Sequence, residues 1–152
     1  MSLSMRIFIG VDCDETRLAM GFVGSQGILR AFSTTESLLP DRVDMFGRCL
    51  NGMIRGVRGE ENLRMKDFYG IGIGIPGRYL AGLRHDIEAQ IKQLLDIAVY
   101  VEDRDVLAVK GKLWLEDVAD MIGPGIDLQK LDLSVVYGAA KLAVDSTPPR
   151  NG

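Results

Sequence analysis

Long apolar runs are missing from this sequence. None approaches the ~20 residues that a membrane helix needs, so nothing in it reads as membrane-spanning. Cysteine is nearly absent too. Two residues far apart, Cys13 and Cys49, give no disulfide framework and suit a reducing, cytoplasmic compartment. There is one histidine, His85, and no Cys/His cluster of the kind that holds zinc. Excess charge of one sign is also lacking. Lys and Arg number 18 against 21 Asp and Glu, a formal net charge of −3, so a nucleic-acid partner would need a local basic patch. Neither a Walker A loop nor a Gly-x-Ser-x-Gly elbow is present. The first residues have no basic start followed by an apolar core, and so do not read as a signal peptide. Residues 1–4 read as a cloning remnant ahead of a native start near Met5.

What is present is one domain's length of chain, 152 residues, with enough apolar content for a core. Arg6 to Val11, free of polar residues after Arg6, predicts a buried strand. Leu18 to Val23 predicts a second strand and Ile28 to Thr34 a third, joined by the hairpin-like turn Gly24-Ser25-Gln26-Gly27. Apolar residues at helical spacing predict a helix over Val43–Val57, followed by a polar loop over Arg58–Lys66. Phe68 to Ile75 is a glycine-punctuated strand stopping at Pro76-Gly77. A short amphipathic helix is expected over Ile87–Leu95 and a fifth strand over Ile97–Val101. Helical signals follow over Val106–Met121, a break at Gly123-Pro124-Gly125, and a last helix over Leu131–Val144. Residues 147–152 read as a frayed tail, leaving 5–146 as a single domain. Three meandering strands, then strands alternating with helices, predict a mixed five-stranded sheet with helices on both faces. That is the element order of the ribonuclease-H-like fold, an α/β class shared with actin-like and sugar-kinase halves.

Acidic residues collect where strands end. Asp12, Asp14 and Glu15 follow the first strand, and Glu102, Asp103 and Asp105 follow the fifth. Sites in open α/β sheets form beyond the carboxyl ends of the strands. If the first and fifth strands are neighbours, Asp12, Asp103 and Asp132 converge, with Glu102 as an alternative ligand. Carboxylates so gathered repel one another until a divalent cation joins them. The simpler reading stands beside this one: Asp14 and Glu15 sit in a solvated turn, and Asp132 caps the last helix.

The motifs resemble two families that share this fold. "DCDETRLAMG", "GIP" at Gly74–Pro76, "VEDR" at Val101–Arg104, and Asp132 before "LSVVYGAAKLA" resemble, in order and spacing, the YqgF/RuvX-type, Holliday-junction-resolvase-like nucleases. Asp103 stands where that family has Glu, and Asp14-Glu15 replace its Gly-Thr. "DCDETRLAMGFV", "GIGIGIPG" and "VEDRDVLAVKGKLW" also resemble the N-terminal domain of ROK sugar kinases and repressors. There Asp14 and Glu15 replace two phosphate-loop glycines, and Arg104 replaces the catalytic base. A guanidinium cannot take a proton at neutral pH.

The nuclease resemblance implies a hydrolase acting on structured nucleic acid, DNA or RNA. In it Asp12, Asp103 and Asp132 are catalytic and ligate Mg²⁺ or Mn²⁺, while Arg17, Arg78 and Arg104 hold substrate. The kinase resemblance implies a non-catalytic, ROK/actin-like binding or regulatory module, degenerate as a sugar kinase, with no ATP expected. Whether the chain is an enzyme stays open between them. Arg55, Arg58, Arg64, Lys66, Arg78, Arg84 and Lys92 bracket the glycine strand and are the candidate basic patch, beside a plain solvated surface. A homodimer is one option for assembly.

Overall fold

The computed structural model describes residues 6–119 and 132–149. Five strands, β1 (Ile7–Cys13), β2 (Arg17–Gly24), β3 (Leu29–Glu36), β4 (Phe68–Ile75) and β5 (Ala98–Asp103), form one sheet in the order β3-β2-β1-β4-β5. The first three pair antiparallel, as the short connections between them require. β4 adds to β1 and β5 adds to β4 in parallel, after helical crossovers. This is the mixed, ribonuclease-H-like sheet that the element order predicts.

Two layers cover the sheet. Helices α1 (Val43–Glu60) and α2 (Gly77–Leu95) pack on one face, where Ile7, Ile9, Val11, Cys13, Ile71, Ile73 and Ile75 build the larger core with Phe46, Leu50, Ile87 and Ile91. On the other face lies α4 (Ser134–Ser146), with α3 (Arg104–Val118) across it. Gly10, Gly72 and Gly74 alternate along that face of β1 and β4. A Cβ at Gly10 or Gly72 would strike the α4 backbone at Val136 or Ala139, so α4 lies directly on the strands.

Several boundaries differ from the sequence reading. α2 begins at Gly77 rather than Ile87. Pro76 has φ −55°, already helical in φ, and stands at the N-cap, so Pro76-Gly77 opens the helix instead of forming a separate turn. His85, ahead of the helix start expected at Ile87, is therefore exposed on α2. The first helix runs on to Glu60, which shortens the polar loop before β4. β5 extends through Glu102 and Asp103, because strand pairing with Gly74 and Ile75 continues to its last residue. The Gly123-Pro124-Gly125 break, Met121 and Leu131 lie outside the described residues. No helix among the described residues is long and apolar enough to cross a membrane.

Candidate functional site

β1, β4 and β5 all end on one side of the molecule. β4 lies between β1 and β5, so the expectation that the first and fifth strands are neighbours is not met. A cleft of about 340 Å³ opens there, lined by Asp14, Glu15, Thr16, Pro76, Gly77, Arg78, Arg104 and Asp105. A smaller, mostly apolar hollow of about 230 Å³ lies at the opposite end of the sheet, between Arg6, Gly24, Gln26, Ile28 and Arg30. The first cleft gathers the ionisable groups, so it is the candidate site.

Asp12, 4% exposed, is the buried acid behind the cleft's Arg104. Strand alternation turns it to the α3–α4 face, away from the larger core. Arg104, the first residue of α3, meets it with two hydrogen bonds. Nε donates to Oδ1 at 3.0 Å and Nη2 to Oδ2 at 3.2 Å, a bidentate pair. Burial raises the Asp12 carboxyl above its ordinary value, and the Arg104 hydrogen bond and charge only partly offset this. Bonding to Asp12 raises the Arg104 guanidinium in turn.

The neighbouring acids face their own backbones. Asp14 Oδ1 accepts from Thr16 N at 2.7 Å, Arg17 N at 2.7 Å and Thr16 Oγ at 3.0 Å, which closes a tight Asx-type turn. Partial burial raises its carboxyl, but those three bonds outweigh it and hold Asp14 below the usual carboxylate range. Glu15 is paired with Arg78 and accepts from Tyr79 Oη at 3.2 Å, tying the first turn to the start of α2. Asp103 caps α3 by accepting from Asp105 N at 2.9 Å, and its carboxylate rests against Gly77. Asp132 accepts from Ser134 Oγ at 2.7 Å and Ser134 N at 3.1 Å at the start of α4, and the Ser134 bonds lower its carboxyl. Glu102 turns toward α2, 3.7 Å from Arg84. Cys13, beside Asp12, is fully buried and its thiol is pushed up to about 12, chiefly by burial, so it is inert.

The structure thus joins Asp12 to Arg104 and leaves Asp103 and Asp132 in separate turns. Among the described residues no three His, Cys, Asp or Glu side chains stand close enough to hold a metal ion. Arg104 takes one lone pair on each oxygen of Asp12, and with no such group gathered around it the described residues as arranged do not fit Mg²⁺ or Mn²⁺. Arg17 opens β2 and acts on Asp12 through charge alone. The basic residues do not form one patch. Arg58, Arg64 and Lys66 lie where β4 begins, and Arg78 and Arg84 lie beyond where it ends. The role of Arg104 as partner to Asp12 was not read from the sequence. Its position straight after the acidic end of β5 was the available signal.

No protein-family model matches the chain, and no curated protein does. Solved structures do. A ROK hexokinase from Thermus thermophilus superposes with a TM-score of 0.55 at 18% identity, over 68% of this chain and 35% of the hexokinase. A ROK family transcriptional regulator, a homologue of the E. coli Mlc protein, gives 0.53 at 13% identity, over 68% of this chain and 30% of the regulator. The manganese-soaked terminase nuclease domain of human cytomegalovirus gives 0.57 at 16% identity, over 92% of this chain and 84% of the domain. The chain spans only about a third of the length of these ROK proteins. At these identities the likeness shows the fold that ROK proteins and ribonuclease-H-like nucleases share.

Proposed function

We propose that this chain is a non-catalytic binding or regulatory domain, degenerate as a sugar kinase, which takes its ligand in the cleft beyond β1 and β4. The bidentate bond from Arg104 to Asp12 carries this reading. It places a guanidinium of the chain itself where a metal-dependent enzyme needs a metal ion, and where a ROK-like kinase needs a base. The Asp14 carboxylate reinforces it. It takes the Thr16 and Arg17 N–H groups that a glycine-rich phosphate hairpin would leave free for a ligand. What the cleft offers instead is Arg78, Arg104 and the uncapped start of α2, beside the carboxylates of Glu15 and Asp105. Such mixed donors and acceptors suit a nucleic acid or another polar, phosphate-bearing partner, and the regulator among the structural relatives agrees with that. The free cysteines fit a cytoplasmic setting.

One observation favours a second reading, a nuclease. The terminase nuclease domain is matched over nearly all of both chains. In that reading Asp12, Asp103 and Asp132, or Glu102, hold Mg²⁺ or Mn²⁺, and Arg17, Arg78 and Arg104 hold the phosphate. It requires Arg104 to release Asp12 first. Thermal melts with and without Mn²⁺, beside incubation with a four-way DNA junction and a structured RNA, separate the two. A binding domain shows no Asp12-dependent rise in Tm and leaves both substrates intact. Cleavage that needs Mn²⁺ and is lost in Asp12→Asn would establish the nuclease instead.

A further inference from the structure

Helix α3 is apolar on two faces. Leu107, Gly111, Trp114 and Val118 are buried inward. Val106, Val109 and Leu113 are 57%, 64% and 61% exposed, and they are three of the four exposed large apolar residues among those described. Their spacing of three and then four places them in one stripe along the outer surface of the helix. A helix apolar on both sides is ordinarily covered on both sides.

The charges beside the stripe indicate what covers it. Asp105, Lys112 and Glu116 lie on one flank, all exposed, and none forms an ion pair among the described residues, Lys112 acting on Asp132 only through its charge. On the opposite flank Lys110 is already engaged, 3.3 Å from Asp145 of α4. Two α3 helices packed antiparallel about a dyad place like flanks against each other in reversed order. A dyad level with Ala108 and Val109 sets Asp105 of each copy opposite Lys112 of the other. It also seats Val106 between Val109 and Leu113 of the second copy. At Asp105 and Lys112 the flank is therefore complementary to itself. We infer that α3 docks a second copy of this chain, through Val106, Val109 and Leu113 and two reciprocal Asp105–Lys112 pairs. Arg104 and Asp105 also line the cleft, so the dimer sets the two clefts at the ends of one joint.

Sedimentation of the full chain over a range of concentrations tests this. The wild type should pass from monomer to dimer, and Leu113→Glu should stay monomeric with an unchanged circular dichroism spectrum. Asp105→Lys and Lys112→Asp should each weaken the dimer by about tenfold, since like charges then meet twice across the dyad. The double exchange Asp105→Lys with Lys112→Asp should restore it. A wild type that remains monomeric at every concentration overturns the inference, and so does a dimer that Leu113→Glu leaves intact.

Discussion

At the scale of single residues the two halves of the Asp12–Arg104 pair are unequal. Asp12 is closed off from solvent, while the Arg104 side chain is 27% exposed and can swing outward. Removing Arg104 strands a buried carboxylate, and removing the carboxylate strands nothing. Arg104→Ala should therefore cost about 3–5 kcal/mol at neutral pH. Asp12→Asn should stay within about 1 kcal/mol of wild type, because its former partner re-enters water. The pH dependence follows from the raised Asp12 carboxyl. A raised folded-state value gives stability that is full below the unfolded value of 3.8 and is lost as pH rises through the folded one. Without Arg104 that folded value rises further. The deficit of Arg104→Ala should then be smallest near pH 4 and grow toward neutrality, as read by urea denaturation across that range. A deficit that does not change with pH would mean that Asp12 is not the group left exposed to the loss.

At the scale of elements, glycines decide how closely helices approach. Gly72 meets the Ala139 carbonyl of α4, and where α3 crosses α4, Gly111 meets Ser134 and Gly138 meets Leu107. In each case a Cβ would strike backbone, which cannot turn aside. Gly72→Ala or Gly111→Ala should cost about 2–4 kcal/mol or prevent folding, by forcing the layers apart. Gly52, on the exposed side of α1, has nothing within 4 Å, so Gly52→Ala should stabilise by about 0.5–1 kcal/mol. Thermal melts of the three variants make the comparison. Equal effects would show that these glycines do not set the packing. The same elements show what the sequence disclosed. β1 and β4 were legible because strands buried on both faces are apolar throughout, and the early hairpins because their turns are short. The start of α2 was not, since Pro76-Gly77 serves equally as a turn or as a helix opening. Tyr79, Leu80 and Leu83, which continue the Ile87–Ile91 stripe backward, were the signal for the longer helix.

At the scale of the whole molecule, the sheet order was within reach of sequence and the site was not. The meander followed by helical crossovers leaves few arrangements. Which side chains join beyond the strand ends depends on a strand lying between β1 and β5, and on a guanidinium entering from α3. Periodicity carries neither fact. The Thr16 and Arg17 N–H groups, which the degenerate-kinase reading assigns to a phosphate hairpin, are taken by the chain's own Asp14 carboxylate. Wild type should therefore show no ATP binding by calorimetry. The double substitution Asp14→Gly with Glu15→Gly frees the Thr16 and Arg17 N–H groups and releases Arg78 from Glu15. It also takes the formal charge from −3 to −1, since two carboxylates leave. These changes favour an anion at the hairpin. The variant should gain weak, millimolar affinity for ATP and for inorganic triphosphate alike, because the turn's freed N–H groups meet only phosphate. Amide signals of residues 14–17 and 77–78 should shift on titration in the variant and stay still in wild type. Micromolar ATP binding by the unaltered chain would show that the carboxylate does not block the hairpin, and the degenerate-kinase reading would then give way to a working nucleotide site.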